Sequence, residues 1–210
     1  MPFDISLVKG PYVLFGNGEL PTHTISNIIL KSAGTILCAD GGANKLKRLG
    51  FQPDFILGDL DSLADNYFNC NVIELKDQSK TDLEKSLDWC FENGITEMSL
   101  LGFSGEDDDH WMAALWTLIS YDQKMALSFY SNHSRIISVD GDLTLDSFKG
   151  QTISLIPARE KIKITANGLK YPIENSILKP PSFGTRNLAK GVSFSIQTTG
   201  PVWVFLNYEK

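Results

Sequence analysis

Short apolar runs alternate with segments of helical periodicity along the first 130 residues of the chain. The apolar runs predict strands at residues 12–15, 35–39, 53–58, 71–75, 97–101 and 125–130. Helices are predicted between them, at residues 26–32, about 44–49, 81–93 and 110–119, the third beginning at a Thr-x-x-Glu capping box. Strands that alternate with helices indicate an α/β fold with a doubly wound, mainly parallel sheet.

The pattern changes after residue 132. Short alternating or apolar runs predict strands at residues 135–139, 152–156, 161–164, 192–196 and 202–206. Asp-Gly, Asn-Gly, Pro-Pro and Gly-Pro turn signals separate these runs, and no segment of helical period and length interrupts them. The pattern therefore predicts a small all-β sandwich or jelly-roll domain at residues 133–210, after an α/β domain at residues 1–132.

Composition and charge argue against several classes of protein. The chain has 210 residues, a net charge of −6 and no basic run, which argues against nucleic-acid binding. Its three cysteines lack the paired spacing of a disulfide framework or a zinc site. The N-terminal residues do not resemble a signal peptide, and no run of about 20 apolar residues could span a bilayer. We therefore expect a cytoplasmic protein without a membrane partner.

Acidic clusters follow several of the predicted strands. They lie at Asp40-Gly41-Gly42, at Asp59 and Asp61, at residues 77–82 and at residues 107–109. The carboxyl ends of parallel strands meet at one edge of the sheet, so the clusters should converge there. Aspartate oxygens suit Mg²⁺, which shares its remaining positions with substrate phosphates. The pattern thus favours a di- or triphosphate ligand, although no P-loop or dinucleotide-binding glycine motif is present.

Each of these residues also has a purely structural interpretation. The two acids after the third strand could cap a following turn, and Asp82 could be an acid favoured in the first turn of a helix. Asp109 could be only an N-cap. Gly41-Gly42 could be only a tight turn, and His110 a structural hydrogen-bonding group.

Five segments resemble the motifs of thiamine pyrophosphokinases in order and spacing, over nearly the whole chain. They are Asp40-Gly41-Gly42-Ala43-Asn44, Gly58-Asp59-Leu60-Asp61-Ser62, Asp77-Gln78-Ser79-Lys80-Thr81-Asp82, Asp109-His110 and Gly168-Leu169-Lys170-Tyr171-Pro172. The resemblance implies an α/β catalytic domain, a β domain that binds thiamine, and a homodimer whose active sites are shared between subunits. It also implies transfer of the β,γ-pyrophosphoryl group of ATP to the thiamine hydroxyl, with release of AMP.

The resemblance also implies roles for individual residues. The Mg²⁺ and phosphate site would use Asp59, Asp61 and Asp82, and either Asp61 or Asp109 would accept the proton of the thiamine hydroxyl. Nucleotide contacts would come from Asp40, Gly41, Gly42, Gln78, Thr81 and His110. Thiamine would meet Tyr171 and the turn Gly184-Thr185-Arg186-Asn187. Core packing remains the alternative for Tyr171 and is the favoured interpretation of Trp203.

Two positions depart from the family pattern. Asp107 stands where the family typically carries an arginine, and Arg186 stands where a serine is usual. We expect Arg186 of one subunit either to replace the missing cation of the other or to be only a solvated surface residue. Two other functions stay open: a Mg²⁺-dependent phosphohydrolase on the same acidic edge, and, because of the two departures, a non-catalytic binder of thiamine or nucleotide.

Overall fold

The computed structural model describes residues 8–59, 69–179 and 181–208 of the chain. It divides into two units, the first formed by Met1–Thr117 with Gln123–Asn132 and the second by Leu118–Asp122 with His133–Lys210. Among the described residues, every helix is too short or too polar to traverse a bilayer.

The first unit is built around a parallel sheet of six strands. They are β1 (Tyr12–Phe15), β2 (Thr35–Ala39), β3 (Phe55–Gly58), β4 (Asn71–Glu74), β5 (Glu97–Leu101) and β6 (Ala126–Tyr130). The strand order is β6-β5-β1-β2-β3-β4, and all neighbours are parallel. The chain moves outward from β1 in one direction and then returns to β5 on the other side. Ligands of doubly wound sheets bind at such a reversal, beyond the carboxyl ends of the strands.

Four helices accompany these strands. They are α1 (Thr24–Ser32), α2 (Gly42–Arg48), α3 (Asp82–Glu92) and α4 (Asp108–Tyr121). The predicted capping box forms as expected at α3: Thr81 accepts a hydrogen bond from the Glu84 backbone, and the Glu84 side chain accepts one from the Thr81 backbone. Leu83, Leu87 and Cys90 form the buried stripe of that helix. The predicted doubly wound α/β fold is confirmed.

The N-cap interpretation of Asp109 is wrong. Helix α4 begins at Asp108, two residues before the predicted start, and extends to Tyr121. The Asp107 carbonyl already accepts a hydrogen bond from the Trp111 backbone at 3.0 Å, so the helical ladder includes the acidic residues. Asp109 consequently lies inside the first turn, where the helix dipole favours an acid.

The second unit contains two antiparallel sheets. Its strands are β7 (Ser134–Val139), β8 (Asp142–Asp146), β9 (Thr152–Pro157), β10 (Lys163–Asn167), β11 (Ile173–Ile177), β12 (Asn187–Leu188), β13 (Ser193–Thr198) and β14 (Val202–Asn207). The strand orders are β12-β9-β14-β7 and β11-β10-β13-β8. Leu155 and Val204 of the first sheet share a buried cluster with Ile164 and Phe194 of the second. The predicted small β domain is confirmed.

Three strands of this unit were not predicted, and one was misplaced. β8 and β11 each bury a single residue, Leu145 and Ile173, so they carry almost no alternating signal. β12 has only two residues. The strand predicted at residues 161–164 begins instead at Lys163, because Lys161 has a φ of +68°, which an extended strand cannot contain.

Candidate active site

A cavity of about 440 Å³ lies beyond the carboxyl ends of the parallel strands in the first unit. The loop after β1 contributes Asn17 and Gly18, and the loop after β5 contributes Gly105 and Glu106. These two strands are the neighbours between which the chain reverses, so the cavity occupies the expected position. Five of the predicted site residues line it: Asp59, Gln78, Thr81, Asp82 and His110.

Two of the predicted metal-site acids meet at a buried lysine. The Nζ atom of Lys85 lies 2.7 Å from Oδ1 of Asp82 and 3.5 Å from Oδ2 of Asp59. Gln78 donates from Nε2 to the same Asp59 oxygen at 3.1 Å. The Lys85 side chain is 4% exposed, whereas those of Asp82 and Asp59 are 44% and 25% exposed. The start of α3 and the end of β3 are therefore joined by an ion-pair network that lines the cavity.

Lys85 stays charged in this environment. Burial lowers the pKa of Lys85, but hydrogen bonding and charge attraction from Asp82 and Asp59 outweigh it, and the pKa lies above its ordinary value. Sequence reasoning missed this residue because lysine is rarely buried. Its spacing of three residues from Asp82 on a predicted helix was the available signal.

Asp61 lies outside the described residues, so the structure does not place it. No cluster of three or more histidine, cysteine, aspartate or glutamate side chains is found in the part of the chain that is described. Asp59 and Asp82 are the described members of the predicted metal site.

Asp40 follows β2 in an unusual environment. Its φ is +37°, its exposure is 4%, and its Oδ1 atom accepts no hydrogen bond from any described residue. Its backbone N–H donates to the Leu57 carbonyl at 2.8 Å. A buried oxygen without a donor is costly, so the position suits an acceptor for a ligand group or a water molecule.

Gly42, the second glycine after Asp40, lets helix α2 start close to β1. A Cβ atom at Gly42 would lie 2.5 Å from the Phe15 carbonyl oxygen and 2.9 Å from the Gly16 carbonyl carbon. Gly41 is the N-cap residue and is buried. The structure thus gives Gly42 a packing role, and neither glycine belongs to the cavity lining.

The segment before α3 is held by its own side chains. Asp77 accepts hydrogen bonds from the Ser79 hydroxyl at 2.6 Å and the Ser79 backbone at 2.9 Å, and these bonds lower the pKa of Asp77. Lys80 pairs with Asp88 at 2.6 Å. The side chain and the backbone N–H of Thr81 both form the hydrogen bonds of the capping box. These contacts fix the loop that presents Gln78 to Asp59.

The predicted acids at the start of α4 are exposed. Asp109 Oδ1 accepts a hydrogen bond from the His110 backbone at 2.9 Å. His110 and Asp107 line the cavity, whereas Asp109 does not belong to its lining. The positive charge beside this loop comes from Lys45, whose Nζ donates to Glu106 Oε1 at 2.5 Å.

Lys45 is a second lysine that sequence reasoning missed. Its Nζ also donates to the carbonyl oxygens of Asn17 and Gly18, both at 2.7 Å, and its side chain is 15% exposed. One ammonium group therefore joins α2 to two loops that form the cavity wall. Because these acceptors lie in two loops that are distant from Lys45 in the sequence, no local sequence pattern marks the residue.

We expect replacement of Lys45 by methionine to lower the free energy of unfolding by about 1–3 kcal/mol, because three acceptors lose a charged donor. Urea unfolding measures the change. Arg48→Met on the same helix is the control, since Arg48 is exposed, and its change should stay within about 0.5 kcal/mol. Equal stabilities of the two variants would contradict the role assigned to Lys45.

In the second unit, Tyr171 is exposed and Asn187 is buried. Tyr171 is 59% exposed, and Lys170 Nζ lies 5.4 Å from the centroid of its ring. Asn187 Oδ1 accepts from the Tyr171 backbone at 3.0 Å, and Asn187 Nδ2 donates to the Tyr171 carbonyl at 2.6 Å. Asn187 thus holds the turn that presents Tyr171. Trp203 is 8% exposed, in agreement with the core packing predicted for it.

The remaining predicted thiamine residues form a tight corner. Gly184 ends a 3₁₀ helix, Pro181–Gly184, and a Cβ atom there would lie 2.0 Å from the Leu155 carbonyl oxygen. Thr185 donates from its hydroxyl to the Ser182 carbonyl at 2.8 Å. Arg186 is exposed, has a φ of +57°, and donates from its backbone to Ser154 Oγ at 3.0 Å.

Comparison with known proteins gives two family matches. Residues 26–130 match the thiamin pyrophosphokinase catalytic domain, and residues 134–203 match the thiamin pyrophosphokinase vitamin B1 binding domain. Thiamin pyrophosphokinase 1 of Caenorhabditis elegans is 32% identical over 160 residues, which are 68% of this chain and 66% of that protein. Thiamine pyrophosphokinase 2 of Arabidopsis thaliana is 26% identical over an alignment that covers 87% of this chain and 80% of that protein.

Solved structures show the same fold. Thiamin pyrophosphokinase from Candida albicans has a TM-score of 0.80 and 19% identity, and the match covers 94% of this chain and 88% of that one. Thiamine pyrophosphokinase from Bacillus subtilis has a TM-score of 0.79 and 18% identity, with 95% and 98% covered.

Proposed function

Because the chain belongs to the thiamin pyrophosphokinase family, we propose that it transfers the β,γ-pyrophosphoryl group of ATP to the hydroxyl of thiamine, giving thiamine diphosphate and AMP. The observation that carries this proposal is the cavity at the sheet reversal, where Asp59, Gln78 and Asp82 meet around Lys85. Such chemistry needs positioned charges and donors more than a protein nucleophile.

The acids of this cavity fit a magnesium ion. Carboxylate oxygens are the hard ligands that Mg²⁺ prefers, and it is commonly bound by one or two carboxylates together with substrate phosphates. Asp59 and Asp82 supply two carboxylates, and we propose Asp61 as a third ligand. A bound Mg²⁺ would neutralise charge on the phosphoryl oxygens of ATP.

The protein groups around the acids would bind and orient the nucleotide. Gln78 holds one Asp59 oxygen, so the Asp59 carboxylate is oriented before ATP arrives. The unpaired Oδ1 of Asp40 would accept a hydrogen bond from a donor group of the bound nucleotide or from a water molecule. The proposed nucleotide contacts also include Gly41, Gly42, Thr81 and His110.

A carboxylate must also accept the proton of the thiamine hydroxyl. Asp61 and Asp109 are the two candidates. Asp109 is exposed in the first turn of α4, and its Oδ1 accepts a hydrogen bond from the His110 backbone. Both residues stay proposals for this role.

For the second unit we propose thiamine binding. The exposed ring of Tyr171 can contact the cationic thiazolium, and the neighbouring Lys170 shows that a cation already approaches this ring. Gly184, Thr185, Arg186 and Asn187 complete the proposed thiamine contacts. The proposal includes a homodimer, in which the catalytic unit of one subunit and the β unit of the other share an active site; light scattering would detect the dimer.

Incubation of the protein with ATP, Mg²⁺ and thiamine tests the proposed function. Stoichiometric AMP and thiamine diphosphate would support it. Phosphate release that does not need thiamine would favour the phosphohydrolase instead, and binding of thiamine or ATP without turnover would favour the non-catalytic binder. Omission of Mg²⁺ should abolish product formation if the acids act through the metal.

We also propose that the protein is cytoplasmic. Cys38, Cys70 and Cys90 are free thiols, as is usual for proteins of a reducing compartment. Cell fractionation followed by immunodetection tests the location, and recovery from an extracytoplasmic fraction would contradict it.

Replacement of Tyr171 by alanine should raise the KM for thiamine by about 2–30-fold, because a cation–π contact contributes about 0.5–2 kcal/mol. The KM for ATP should not change. Tyr171→Phe keeps the ring and should behave like the unsubstituted protein. Phe183→Ala removes another exposed ring, 69% exposed, from the same unit and serves as the control. A thiamine KM that is the same in all three variants would remove Tyr171 from the proposed site.

Replacement of Arg186 by alanine tests the expected compensation for Asp107. If Arg186 of one subunit meets the phosphates or Asp107 of the other, the KM for ATP should rise about 3–10-fold, the effect of losing one charge-assisted contact. Lys190→Ala is the control, because Lys190 is exposed in the same unit and its described hydrogen bond comes from its backbone. Unchanged KM values for ATP and thiamine would leave Arg186 a surface residue.

A further inference from the structure

As a packing residue alone, Lys85 would lower the stability of the fold. Its side chain is 4% exposed, and removal of an ammonium from water is unfavourable unless partners compensate for it. The hydrophobic face of α3 is supplied by its neighbours Leu83 and Leu87. An apolar side chain at this position would bury the same surface without that penalty, because buried ion pairs are often no more stabilising than apolar replacements.

The partners of Lys85 come from two separate elements. Asp82 is the first residue of α3, and Asp59 directly follows β3. The ammonium lies 2.7 Å from one carboxylate and 3.5 Å from the other, and all three side chains line the cavity. One ammonium group thus bridges two carboxylates of different elements, and Gln78 supplies a second donor to the Asp59 carboxylate.

We propose that Lys85 is a positioning residue, which holds the carboxylates of Asp59 and Asp82 in the arrangement that receives the divalent cation and the phosphates. This inference rests on the proposed function, because it assigns a purpose to the same acids. Lys85 acts through the two aspartates and is not itself required to touch the phosphates.

Replacement of Lys85 distinguishes a positioning role of this residue from a purely electrostatic one. If the lysine acted only through its charge, Lys85→Met would leave two carboxylates with less compensation, and Mg²⁺ would bind more tightly. If it positions the acids, Mg²⁺ should bind more weakly, by about 10–100-fold, as is usual when the partner of a metal ligand is lost. Asp82 and Asp59 remain partly solvated, at 44% and 25% exposure, so the variant leaves no fully buried charge behind.

The experiment compares the full-length protein with Lys85→Met, Lys85→Arg and the control Lys31→Met, an exposed lysine of α1. Calorimetric titration with Mg²⁺ alone measures metal affinity, thermal melting without Mg²⁺ measures stability, and AMP formation measures kcat. We expect Lys85→Met to bind Mg²⁺ about 10–100-fold more weakly and to lose about 100-fold in kcat. Its melting temperature should stay within about 5 °C of the unsubstituted value. Lys85→Arg should recover part of both losses, and Lys31→Met should change neither.

Several results would overturn the inference. They are equal or tighter Mg²⁺ binding by Lys85→Met, no detectable Mg²⁺ binding by the unsubstituted protein, and a melting temperature that falls by more than about 10 °C, which would make the lysine structural. Failure of the proposed function looks different. In that case the unsubstituted protein forms no AMP with thiamine and ATP, while Mg²⁺ binding still weakens in Lys85→Met, and the positioning role stands.

Discussion

Replacement of Asp82 by asparagine is expected to lower kcat by about 10²–10³-fold, the usual cost of removing one group that stabilises transition-state charge. The side chain keeps its size, but it loses the charge that pairs with Lys85 at 2.7 Å and that would hold the metal. The fold should tolerate the change, because Asp82 is 44% exposed and the Thr81–Glu84 box already caps its helix. The buried Lys85 keeps the Asp59 carboxylate and the new amide oxygen as partners. Initial rates of AMP formation at saturating ATP and thiamine measure the effect.

The matched control for this variant is Glu92→Gln, which removes one negative charge from the exposed far end of the same helix. Its kcat should stay within about two-fold of the unsubstituted value, because surface charges beyond a Debye length are screened. If Asp82→Asn and Glu92→Gln have similar rates, Asp82 does not belong to the catalytic machinery. A large loss of stability in Asp82→Asn alone would assign it to the fold instead.

The second large effect is expected from Gly58→Ala. A Cβ atom at Gly58 would lie 2.9 Å from the Cβ and 3.2 Å from the Cα of Asp40, so one of the two strand ends must move. Overpacking of this kind costs about 1–3 kcal/mol of stability. It also displaces Asp40 or Asp59, and a misplacement of about 1 Å near reacting groups can cost about 10²-fold in kcat/KM.

Chemical denaturation and steady-state kinetics measure the two parts of this prediction separately. Gly191→Ala is the control, because no atom of the described residues, apart from the two chain neighbours, lies within 4 Å of the position that its Cβ would occupy. We expect that variant to match the unsubstituted protein in stability and in rate. Normal activity of Gly58→Ala would show that the close approach of β2 and β3 is not needed for the site.

The sequence predicted where the acids lie better than it predicted which groups contact them. The boundaries of β2 and β5 match the predicted ones, because each is an apolar run bounded by turn or polar residues. Asp59 and Asp82 converge as expected from the shared edge of a parallel sheet. This part of the site follows from topology alone, since the end of each element fixes where its acid stands.

The lysines could not be predicted in the same way. Lys85 and Lys45 bind acceptors that include residues of distant segments, and only the three-residue spacing of Lys85 from Asp82 was visible in the sequence. The positive φ of Asp40 was also not predictable, because such a backbone conformation outside glycine depends on tertiary contacts. Strands β8 and β11 were not predicted because each buries only one side chain, so their sequences show no alternating pattern.

The capping box of α3 has a consequence for the temperature dependence of activity. Asp82 is the first residue of the helix, and helix ends open before the rest of a protein unfolds. The hydrogen bonds between Thr81 and Glu84 stabilise that end of the helix, so they set the temperature at which Asp82 is displaced. We therefore expect the rate to fall on heating when the first turn of α3 frays, several degrees below the temperature at which the sheet melts. The stability of this turn would then limit the temperature range in which the enzyme is active.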